Sequence, residues 1–103
     1  MCELVWTGAA EADLQEIFNE LEDAQEGSGE RFLLLMDASL ELLRLFPEMA
    51  PPFEPPVRRL VLNSRRHGLF YVFEPRGIIL HAVADLRRDA EQLRRRLRRL
   101  LRR

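Results

Sequence analysis

VRRLVLNSRRHGLFYVFEPRGIILHAV, residues 57–83, holds three segments with the length and composition of β-strands. Val57–Leu62, Leu69–Phe73 and Ile78–Val83 are dominated by β-branched, aromatic and aliphatic side chains, which suit the pleated surface of a sheet. Glu74-Pro75-Arg76-Gly77 separates the last two and places proline and glycine where a type I turn favours them, so an antiparallel hairpin is expected. Asn63–Gly68 (NSRRHG) is a polar, turn-rich connection, which extends the hairpin to a three-stranded antiparallel meander. In this reading His67 is a solvated loop residue, and His81, between Leu80 and Ala82, is a packed or edge histidine.

Upstream, Pro47–Pro56 holds five of the six prolines and reads as an extended loop, with no place for a helix or central strand. Before it, two amphipathic helices are expected. Ala10, Leu14, Ile17, Phe18 and Leu21 recur at helical spacing, with Thr7 as N-cap and the short β-prone run Leu4-Val5-Trp6 ahead of it. Gly27-Ser28-Gly29 ends that helix, and Ser28 is placed to cap a second one whose apolar positions include Phe32, Met36, Leu40 and Leu43. So short a break predicts a helical hairpin. The second helix also carries Leu33, Leu34, Leu35, Leu42 and Leu45, an apolar arc wider than one core-facing stripe requires. Downstream, a tail helix from Asp89 puts Ala90, Leu93, Leu97 and Leu100 on one face. Arg94, Arg95, Arg96, Arg98, Arg99, Arg102 and Arg103 flank that face. The element order is strand, helix, helix, three strands, helix, an α+β fold forming a single domain over residues 1–103.

A chain of 103 residues buries one modest core. Its net charge of −1 conceals opposite halves. Residues 1–50 carry 12 acids against Arg31 and Arg44, a net of −10, whereas residues 51–103 carry 14 arginines against 5 acids, a net of +9. The basic half is expected to attract an anionic partner, and its cations are all arginine, whose planar fork matches carboxylate and phosphate. Cys2 is the only cysteine, which excludes an internal disulfide and favours a reducing, cytoplasmic setting. The N-terminus has neither the positive charge nor the apolar length of a signal peptide. No segment reaches the roughly 20 apolar residues of a membrane span. Paired carboxylates, metal-ligand spacing, a nucleophile triad and a glycine-rich phosphate loop are absent from the sequence, so no cofactor or metal is expected.

Five short motifs occur in register along the chain: Trp6–Leu14 (WTGAAEADL), Leu43–Met49 (LRLFPEM), Val57–Leu60 (VRRL), Gly68–Tyr71 (GLFY) and Arg87-Arg88-Asp89. Together they resemble the RelE/ParE superfamily, the toxins of type II toxin–antitoxin systems. The resemblance implies a helical hairpin packed on a twisted antiparallel sheet, held inactive by a cognate antitoxin, as a possible homodimer or toxin–antitoxin hetero-oligomer. RelE-like members cut messenger RNA on the ribosome, whereas ParE-like members inhibit DNA gyrase, and the long hairpin is more like the ParE branch.

RNA cleavage by 2′-hydroxyl attack needs a base, cations on the phosphate and an acid at the leaving oxygen. Where RelE-like nucleases often carry an arginine this chain has Gly68, and where many relatives have a histidine it has Asp85, which repels phosphate. The tail after Asp89 offers no tyrosine or histidine. The expected function is therefore binding and inhibition of a gyrase-like target, with Arg58, Arg59, Arg65, Arg66, Arg87 and Arg88 as target or anion-binding residues. Leu33, Leu34, Leu35, Leu93, Leu97 and Leu100 are expected to form the antitoxin or self-association surface. Two rival readings stand beside it. One is a RelE-like endoribonuclease using Arg59, Arg87 and Tyr71; the other is a degenerate member that binds antitoxin without toxicity. For the tail helix alone, docking on the sheet competes with an acidic docking partner and with nucleic acid or an anionic membrane surface.

Overall fold

The computed structural model describes residues 2–62, 65–88 and 90–101. Strand β1 (Leu4–Trp6) leads into helices α1 (Gly8–Ala24) and α2 (Ser28–Leu45), followed by strands β2 (Pro52–Glu54), β3 (Val57–Val61), β4 (His67–Glu74) and β5 (Gly77–Asp85) and helix α3 (Ala90–Leu101). The five strands form one sheet in the order β1-β5-β4-β3-β2. The expected meander is its centre, with β3, β4 and β5 paired antiparallel. The sheet as a whole is mixed rather than antiparallel, because β1 pairs parallel with β5. The proline segment also contributes β2, at an edge where only one side needs backbone donors, the position a sheet leaves open to proline.

Thr7 caps α1 as its side chain predicts: Oγ1 accepts from the Ala10 backbone N–H at 3.1 Å and donates to the Leu80 carbonyl at 3.0 Å, tying the helix start to β5. Ser28 does not cap α2. Gly27 occupies that position with φ 88°, and the first turn is capped instead from the neighbouring helix by Glu22, whose carboxylate accepts from the backbone N–H groups of Gly27, Gly29 and Glu30 at 3.2, 2.7 and 3.4 Å. These backbone donors, Gly27 foremost, hold the Glu22 carboxyl below its usual range. Gly77, at φ 138°, turns the β4–β5 hairpin, and a Cβ there would collide with the Glu3 carbonyl.

The sheet is covered on both faces. On one, the α1–α2 hairpin packs Ile17, Phe32, Met36 and Leu43 against Leu69, Tyr71, Ile78 and Leu80. On the other, Leu97 of α3 is wholly buried with Val57, Phe70, Val72 and Ala82, a burial that stabilises by about 1.5–3 kcal/mol. Pairing shifts between Phe70 and Tyr71, where β5 carries His81 as an extra residue. This bulge explains why Leu80 and Ala82, two apart in β5, belong to opposite cores. His67 is not a solvated loop residue. It opens β4, buried edge-on against Phe32 with ring centres 4.9 Å apart. Asn63, Ser64, Asp89, Arg102 and Arg103 lie outside the described residues.

Candidate functional site

Alternation along β3 separates Arg58 from Arg59. Arg58 stands beside Tyr71 on the hairpin face, where its Nη1 donates to the carbonyls of Ala50 (2.8 Å) and Glu48 (3.2 Å). Its cation holds the proline segment in place. Arg59 stands beside Phe70 on the α3 face, its guanidinium 5.3 Å from the Phe53 ring, which Arg94 also approaches at 4.7 Å. Phe53 meets Phe70 edge-on at 5.0 Å, and the Arg59 Nε is buried without a hydrogen-bond partner among the described residues.

At the end of β5, Asp85 gathers two of the remaining arginines. Its carboxylate accepts from Arg87 N (2.9 Å), Nε (3.2 Å) and Nη2 (3.0 Å) and from Arg66 Nε (3.3 Å). The Arg87 side chain is the leading cause that holds the Asp85 carboxyl far below the ordinary carboxylate range, and Asp85 in turn raises the Arg87 guanidinium. Arg88 Nη2 donates to both carboxylate oxygens of Glu20, at 3.2 and 3.0 Å. Arg65 is exposed in the left-handed region at φ 61°. His67 faces Asp85 across the β4–β5 register, and burial, reinforced by Arg66, lowers its pKa toward the neutral imidazole. A Cβ at Gly68 would stand 2.9 Å from Leu86 Cδ2 and 3.3 Å from Phe70 Cε1, so a side chain there would require the Leu86 methyl to move.

Tyr71 is fully buried on the hairpin face and donates its hydroxyl hydrogen to the Pro47 carbonyl at 2.8 Å, and burial raises its pKa. The sheet thus separates Tyr71 from Arg59, so Arg59, Arg87 and Tyr71 are not brought together in one groove. The leucines divide in the same way. Leu34 is 69% exposed, and Leu42, Leu45, Phe46 and Met49 are exposed at the end of α2 and just beyond it. Leu33 packs on the hairpin core and Leu35 is half-buried. Leu97 is core with Leu93 and Leu101 packed beside it, so this face of α3 meets the sheet, whereas Leu100 is half-buried outside that cluster.

A groove that the sequence did not announce runs between α1 and α3. It encloses about 620 Å³; Asp13, Glu16 and Glu20 line one wall, Arg95, Arg96 and Arg99 the other, and Phe70, Val83 and Ala84 the floor. Arg96 bridges the walls through Asp13 at 3.0 and 2.8 Å. Both partners also satisfy β5 beyond the reach of β1: Asp13 accepts from Val83 N at 3.0 Å, and Arg96 donates to the His81 carbonyl at 3.0 Å. Arg94 and Arg98 reach Glu54 of β2, at 3.6 and 3.0 Å. Several tail arginines are therefore structural ties, not solvated charges. Helical periodicity placed Asp13 and Arg96 on their helices but contained nothing that paired them. Among the described residues no cluster of His, Cys, Asp and Glu is arranged to hold a metal, and no helix is long and apolar enough to cross a membrane.

The family model for the ParE toxin of the type II toxin–antitoxin system parDE matches residues 4–92. Among solved structures, a chain of the chromosomal ParDE toxin–antitoxin system from P. aeruginosa is similar in fold, with a TM-score of 0.72 at 19% identity, over 82% of this chain and 96% of that one. A search of curated proteins found no match.

Proposed function

This chain belongs to the ParE toxin family of type II toxin–antitoxin systems, and from that membership we propose that it acts by binding and inhibiting a DNA gyrase-like target in the cytoplasm. On this reading a cognate antitoxin neutralises it by covering part of its surface. The observation that carries the binding mechanism is the disposition of the arginines: Arg58 serves the proline segment, Arg66 and Arg87 share Asp85, and Arg88 holds Glu20. Cleavage chemistry needs cations converging on one phosphate with a proton donor beside them, and Tyr71 lies across the sheet from Arg59. Losing one such contribution typically costs about 10²–10³ in rate.

Two assays with the purified chain test the proposal. Gyrase supercoiling should fall as the protein is added, in a manner sensitive to charge reversal at Arg95 or Arg99, while messenger RNA in a translating extract stays intact. Codon-specific cleavage abolished by Arg59→Ala or Arg87→Ala would overturn it in favour of a ribosome-dependent nuclease. In cells, expression should slow growth, and co-expression of the antitoxin should relieve it. Unchanged growth at high levels of folded protein would point to a member that binds antitoxin without toxicity.

A further inference from the structure

The groove between α1 and α3 keeps a charge imbalance after its internal ion pairs are counted. Asp13 is matched by Arg96, Glu20 by Arg88, and Asp85 by Arg66 and Arg87. Arg95 and Arg99, one helical turn apart on α3, are exposed and have no ion pair among the described residues. Arg59 reaches the same space from the sheet. Its Nε has no hydrogen-bond partner among the described residues, and its guanidinium stacks on Phe53. Against these three cations the facing wall offers one unmatched carboxylate, Glu16. Between them lies apolar surface from Phe53, Leu86 and Leu93.

We propose that this groove captures a partner protein through a short acidic and hydrophobic segment, with carboxylates on Arg59, Arg95 and Arg99 and an aliphatic or aromatic side chain against Phe53 and Leu93. Each arginine fork matches a carboxylate, and the outer guanidinium nitrogens of Arg59, which make no ion pair among the described residues, gain one. Nucleic acid fits less well. A phosphate backbone carries charge at every step and would have to pass the Asp13, Glu16 and Glu20 wall, whereas a peptide confines its carboxylates to the α3 side. The inference rests on the proposed binding mechanism, in which Arg95 and Arg99 also serve, but the peptide assay reads occupancy of the groove alone, so its failure is distinguishable from a failure of gyrase inhibition.

Fluorescence anisotropy with the full chain tests it, using a labelled peptide that alternates Glu with Leu and Phe, its Gln-for-Glu counterpart and a labelled single-stranded RNA. The Glu peptide should bind, and both the Gln peptide and the R95E/R99E double variant should weaken binding by at least about tenfold. Reversal of Arg76, an exposed cation of the β4–β5 turn that does not line the groove, should leave it unchanged. A Lys, Leu and Phe peptide should prefer R95E/R99E over the natural chain, a gain that a misfolded variant would not produce. Absent binding of the Glu peptide, or equal binding by R95E/R99E, overturns the inference. RNA bound more tightly than the peptide, and lost in the same double variant, would assign the groove to nucleic acid instead.

Discussion

Asp85 shows how one side chain redirects a cluster of charges. Buried at the end of β5, with 6% of its side chain exposed, it takes hydrogen bonds from Arg66 and from both the backbone and side chain of Arg87. An anion therefore already occupies the place where two arginines would otherwise meet a phosphate. Its carboxyl is depressed far below the usual value, so its contribution to stability is fully present above about pH 4, where the unfolded carboxylate ionises, and is lost as pH falls through the lower folded value. Asp85→Asn should accordingly cost about 1–2 kcal/mol near neutrality, at the modest end for a charged hydrogen-bond set because both guanidinia touch solvent. Urea unfolding should show the gap between the two proteins narrowing below about pH 4, and a pH-independent gap would mean that the charge of Asp85 contributes nothing. The same variant frees Arg66 and Arg87 from a full negative charge, so its affinity for single-stranded RNA should rise above that of the natural chain.

Among the elements, α2 is the one whose sequence exceeds its structural duty. Its buried positions, Phe32, Met36, Leu40 and Leu43, complete the hairpin core, which leaves Leu34, Leu42 and Leu45 facing outward with Phe46 and Met49 just beyond. Exposed leucines in excess of what the core uses make this helix the candidate association surface. Leu34→Glu should leave thermal stability nearly unchanged, since Leu34 is 69% exposed, while making the free protein less prone to self-association in sedimentation. Leu33→Glu, one position away, places a charge against the hairpin core and should destabilise by about 2 kcal/mol or more. If Leu34→Glu unfolds the chain, or if the natural chain sediments as a clean monomer that the change does not alter, the helix is not an association surface. The cap of α2 was hidden for a related reason: a local rule nominates Ser28, whereas Glu22 reaches it through the tertiary approach of α1.

For the whole molecule, what was legible in the sequence was whatever short-range pattern encodes. Alternation and turn chemistry marked the meander, helical spacing the three helices, and Thr7 the start of α1. What escaped depends on partners distant in sequence: the parallel pairing of β1 with β5, the strand status of His67 within a polar run, and the edge strand β2 among prolines. The candidate site followed the same division. Its arginines were plain, but their occupation by Asp85, Glu20 and Glu54 appears only when the chain is folded, because net charge states a sign and not a contact. Part of the opposite charge of the two halves is turned inward, Asp13 and Glu20 of α1 holding Arg96 of α3 and Arg88 of the turn before it, while Glu54 of β2 holds Arg94 and Arg98 from within the basic half. Helix α3 therefore rests on one fully buried leucine and several partly exposed ion pairs, whereas β4 and β5 are joined by a continuous backbone ladder within two apolar cores. Raising sodium chloride from about 0.1 M to about 1 M shortens the Debye length from about 10 Å to about 3 Å and weakens the first kind of attachment far more than the second. Hydrogen exchange of α3 amides should then quicken severalfold while those of β4 and β5 change little, and Asp13→Ala should reproduce much of the effect at low salt by releasing Arg96. Equal acceleration in the helix and in the sheet would show that α3 is held by its apolar face alone.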